Sequence, residues 1–68
     1  MQDDHEQIEL KMRLARLKID HDDLHAAIDA MTAQGSDPLR IQRLKKKKLE
    51  IKDRIAQTAS RILPDIIA

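Results

Sequence analysis

Leu10, Leu14, Leu17, His21, Leu24, Ile28 and Met31 follow one another at spacings that alternate between four and three residues. This is the repeat of a helix packed along its length against another, with Leu14, His21 and Ile28 at a positions and Leu10, Leu17, Leu24 and Met31 at d positions. The same alternation returns in Ile41, Leu44, Lys48, Ile51, Ile55, Thr58 and Ile62. Between the two runs lies Gln34-Gly35-Ser36-Asp37-Pro38, which holds the only glycine of the chain. Gly35 suits the left-handed residue that closes a helix, Asp37 an N-cap, and Pro38 the first helical position. The pattern predicts a first helix over about 3–33, a turn at 34–37 and a second helix over about 38–63, which Pro64 discourages from continuing.

A connection this short makes long helices antiparallel neighbours. Folding at Gly35 sets Met31 opposite Ile41, Ile28 opposite Leu44, Leu17 opposite Ile55 and Leu10 opposite Ile62. Leu24 then faces Lys48 and His21 faces Ile51, so the two polar seam residues meet in the middle of the hairpin. The Lys48 ammonium is expected to snorkel out past Leu24. His21 is expected to fix the register, as a buried polar a position does. The fold class is therefore all-α: an antiparallel two-helix hairpin with coiled-coil packing, forming one domain over 1–68 and assembling into a helical bundle. The same register brings Asp20, Asp22 and Asp23 alongside Lys45 to Arg54, with Asp20 and Arg54 as the expected cross-helix ion pair.

The first helix carries a second apolar stripe, Ile8, Met12, Ala15 and Ile19, again spaced four, three and four. At 100° per residue it lies roughly 150° around the helix from the seam. A helix apolar on two faces must be covered on two faces, and one partner helix covers only one. On the second helix Leu49, Ala56 and Leu63 add a flanking line beside the seam, and Asp65-Ile66-Ile67-Ala68 extends the apolar character into the tail at 64–68.

Composition sharpens the need for a partner. With 68 residues, no cysteine and no aromatic residue, the core is Leu, Ile, Met and Ala, without disulfides or thiolate metal sites. A lone core of this size supplies only about 3–5 kcal/mol. Oligomerisation is the remaining support, so the expected partner is a second copy. The acidic opening Met1-Gln2-Asp3-Asp4 precedes no apolar segment of the kind a signal peptide needs, and no apolar run approaches the roughly 20 residues of a membrane span. The sequence therefore predicts a soluble cytoplasmic protein without membrane contact. Residues 1–34 carry eight acids and four bases, residues 35–68 nine bases and four acids. Such asymmetry suits either a nucleic-acid-binding half or two helices that attract each other.

Three chemistries deserve weighing. His21 and His25 stand at i and i+4 on one helix face, the spacing of a zinc-protease helix. A metal site needs a third ligand, and His5 lies too far along the same helix to be one, so a register role for His21 and a solvated His25 are the simpler expectation. Lys45, Lys46, Lys47, Arg43, Lys52 and Arg54 have the charge for phosphate contacts. However, four consecutive lysines point around the whole helix, and there is no aromatic residue for base stacking, which weighs against nucleic acid. No nucleophile constellation or Gly-rich phosphate loop is present, so neither enzyme activity nor a cofactor is expected.

The run Leu17-Lys18-Ile19-Asp20-His21-Asp22-Asp23-Leu24 with Ala27-Ile28, the run from Ile41 to Leu49 continued by Ile51-Lys52-Asp53-Arg54-Ile55, and the ending Leu63-Pro64-Asp65-Ile66-Ile67-Ala68 resemble the YdcH-like family of small bacterial proteins of unknown function. The similarity covers most of the chain from Arg13 onward. It implies a short α-hairpin with coiled-coil packing and no catalytic residues; His25 departs from the family pattern, where an acid is more usual. Together these readings predict a small self-associating structural or adaptor protein. The alternatives are a basic nucleic-acid-associated protein and a regulatory module whose exposed stripe binds a helix of another protein.

Overall fold

The computed structural model describes residues 2–62, with side chains from 5–62. Two helices, α1 (Gln2–Gln34) and α2 (Pro38–Arg61), pack against each other as an antiparallel hairpin measuring 51 × 21 × 15 Å. Leu63, the tail at 64–68 and the side chains of Asp3 and Asp4 lie outside the described residues.

The turn is built from the chemistry its residues offer. Gly35 adopts φ +72°, a region that costs any residue with a Cβ. Its N–H donates to the Thr32 carbonyl at 3.2 Å and the Ser36 N–H to the Met31 carbonyl at 3.0 Å. These two bonds are a Schellman motif, which satisfies carbonyls that the end of a helix leaves open. Asp37 then caps α2: its carboxylate accepts from the Leu39 N–H at 3.1 Å while its carbonyl accepts from Ile41 at 3.1 Å. Pro38 occupies the first helical position, where a missing N–H is no loss.

Both ends of the hairpin deviate slightly from expectation. Helix α1 continues through Gln34, and the turn is confined to 35–37. Helix α2 stops at Arg61, two residues before the expected limit, because Ile62 is already extended at φ −84°, ψ 127°. Across the hairpin the Gln7 amide donates to the Arg61 carbonyl at 3.4 Å, reaching the end of α2 from α1.

The residues withdrawn from solvent follow the four-three spacing on both helices. Leu10 and Ile28 are 5% exposed and Thr58 8%. Leu14, Leu17, His21, Leu24, Met31, Ile41, Leu44, Lys48, Ile51, Ile55 and Ile62 are half-buried. Two helices enclose a line rather than a volume, so the seam is shielded without being sealed. Among the described residues no side chain is completely buried.

Candidate functional site

Three surfaces remain once the seam is closed. The first is the far side of α1. Ile8, Met12 and Ile19 are 57%, 67% and 57% exposed, and Ala15 between them is exposed as well. They line a face turned away from α2, because the seam already occupies the near face of α1. Leu39 and Leu49 are also exposed on α2, but they stand ten residues apart and form no comparable stripe.

The second surface is one rim of the seam, an open groove of about 770 Å³ walled by His21, Asp22, His25, Lys45, Lys48 and Lys52. The half-buried Lys48 does carry its ammonium outward, and it ends on a specific partner: Nζ lies 2.6 Å from His25 Nδ1. An ammonium has only donors, so Nδ1 must be the acceptor. That places the ring proton on Nε2, which faces the Asp29 carboxylate at 3.4 Å. His25 is thus partly exposed but engaged at both nitrogens, rather than simply solvated. His21 is half-buried, with Nδ1 3.6 Å from Asp22. The two imidazoles share the groove, yet one nitrogen of His25 faces a cation. Among the described residues no group of three His, Asp, Glu or Cys side chains is placed to hold a metal ion.

The opposite rim forms the third surface, an open groove of about 470 Å³ lined by Arg13, Leu17, Arg54, Gln57, Thr58 and Arg61. The expected Asp20–Arg54 pair does not form. Asp20 sits 4.0 Å from Arg16, one turn back on its own helix, and among the described residues the carboxylate–arginine pair across the helices is Arg61–Glu6 at 3.7 Å. The basic residues singled out in the sequence do not converge: Lys45 and Lys52 line the histidine rim while Arg54 lines the arginine rim. Arg43, Lys46 and Lys47 are exposed and line neither groove. Arg13 and Arg61 were not among those candidates. The available signal was the seven-residue recurrence of Arg40, Lys47, Arg54 and Arg61, which places all four on one edge of the α2 seam.

The sequence profile of a family described as a protein of unknown function (DUF465) matches residues 14–58. The chain belongs to that family, of which the YdcH-like proteins are part. No curated protein and no solved structure matches the chain significantly. The matched span holds the seams from Leu14 to Thr58, whereas Ile8, Met12, Arg13 and Arg61 lie beyond it.

Proposed function

We propose, with membership of that family as the premise, that the chain is a non-catalytic structural or adaptor protein that works by self-association through the far face of α1. The exposure of Ile8, Met12 and Ile19 on a face turned away from α2 carries this reading. The slender core supports it, since a hairpin with so little sealed interior gains from further burial. Because the stripe stands opposite the seam, a second copy docks α1 against α1, with each α2 on the outside. The product is a row of four helices rather than a square bundle. The patch covers on the order of a few hundred Å², below the ~800 Å² per partner of a standard interface. The expected association is therefore reversible and concentration-dependent.

Two mirror signatures test this. A self-associating chain gains stability by mass action, so its melting temperature rises with protein concentration. The doubly substituted Ile8→Asp, Met12→Asp chain is expected to keep its helical circular dichroism and lose that dependence. A parent melting temperature that does not change over a hundredfold concentration range defeats the proposal. The division of bases between two rims and the lack of aromatic residues favour this reading over nucleic-acid binding.

A further inference from the structure

Along the edge of the seam on the arginine rim, antiparallel packing alternates residues from α1 and α2. From the open end of the hairpin the order is Glu6, Arg61, Arg13, Arg54, Asp20 and Lys47. Three consecutive rungs are arginine. The acids at either side do not neutralise the middle: Glu6 is bound to Arg61 at 3.7 Å and Asp20 faces Arg16 at 4.0 Å. Among the described residues neither Arg13 nor Arg54 has an ion pair, and no carboxylate lines the groove they share.

Such an arrangement works against the hairpin, because like charges brought together across two packed helices repel. It favours something else. Guanidinium groups present planar forks of N–H donors that match the oxygens of a phosphate two at a time. The Gln57 amide adds a neutral donor one turn from Arg54 and one turn from Arg61. The Thr58 side chain, 8% exposed, forms the floor with Leu17. The donors thus come from both helices and line one open groove together with Leu17 and Thr58.

We propose that Arg13, Arg54 and Arg61, with Gln57 and Thr58, form an oxyanion site that takes a phosphate group of a multivalent ligand. This site is independent of the self-association face, which lies elsewhere on α1. The division of bases between two rims and the lack of aromatic residues favour a small polyphosphate over a nucleic-acid backbone as the source, and the two are separable by experiment. The anion replaces solvent between Arg13 and Arg54 and competes with Glu6 for Arg61.

The test uses the full chain, labelled with ¹⁵N and titrated with sodium tripolyphosphate at constant ionic strength. Saturable shifts are expected at the amides and arginine side chains of this rim. The Arg13→Gln, Arg54→Gln chain should bind at least roughly tenfold more weakly, since two charge-assisted contacts are lost. Its helicity should be retained, because the substitution removes a repulsion. Lys45→Gln, Lys52→Gln on the other rim is the charge-matched control and should leave binding unchanged. A short DNA duplex that shifts the same residues and is displaced by tripolyphosphate assigns the phosphate to nucleic acid. Binding of tripolyphosphate alone assigns it to a small ligand. The proposal is overturned by linear, non-saturating shifts with both probes, or by equal weakening from the two double substitutions.

Discussion

The two helices use the same seam and differ in everything outside it. Helix α2 is largely one-sided: apart from the exposed Leu39 and Leu49 its large apolar residues face α1, and bases crowd both edges of the seam. Helix α1 has apolar residues on opposed faces, which cancel, so that it is not amphipathic in the ordinary sense. One helix is thereby completed by its partner in the hairpin and the other is not. The unequal treatment leaves an exposed apolar stripe on the far side of α1, the face through which we propose that the hairpin self-associates.

Substitutions on the two faces of α1 should separate cleanly. Ile28→Ala empties one of the best-shielded positions of the seam. Large-to-small changes at buried positions cost about 2–5 kcal/mol, comparable with the whole stability of so small a core. The expected result is loss of most helical signal at room temperature. Ile19→Ala removes a side chain of similar size from the far face and should leave helicity at low concentration intact. Equal destabilisation by the two, measured by circular dichroism at micromolar protein, breaks the distinction between the faces.

A smaller effect is expected at the turn that joins them. Space around Gly35 is open, with nothing for an added methyl group to meet. The cost of Gly35→Ala is then conformational only, about 1–2 kcal/mol for a left-handed alanine. Chemical denaturation should show a lower midpoint with an unchanged slope. An unchanged midpoint would mean that the turn is not held at φ +72° in solution.

The smallest effect concerns the edges. Arg13→Glu places an acid between Arg54 and Arg61 and converts repulsion into attraction. Exposed pairs are worth under about 1 kcal/mol, so a modest rise in melting temperature is expected, shrinking as salt is added. A fall in melting temperature would show that Arg13 has a stabilising partner on this rim.

These effects also mark how far residues alone carry the structure. Seam spacing is legible because burial follows helical periodicity, and the turn is legible because Gly35, Asp37 and Pro38 each have few other uses in that order. The edges are less legible. Asp20 has Arg16 one turn back and Arg54 across the seam within reach, and long flexible side chains, not the periodicity, decide between them. The contact between Lys48 and His25 is of the same kind: Lys48 was expected to leave the seam, but its destination depended on which ring nitrogen stood nearby. The arginine groove is less legible because it brings Arg13 of α1 together with Arg54 and Arg61, which stand seven residues apart on α2.

The most direct measurement is sedimentation equilibrium of the purified chain over a range of micromolar concentrations. Covering the far face of α1 with a second copy predicts a weight-average mass that climbs from the 7.8 kDa of one chain towards twice that value, with Ile8→Asp, Met12→Asp held at the lower limit. A parent chain that stays at the single-chain mass throughout, while remaining helical, would contradict the central claim.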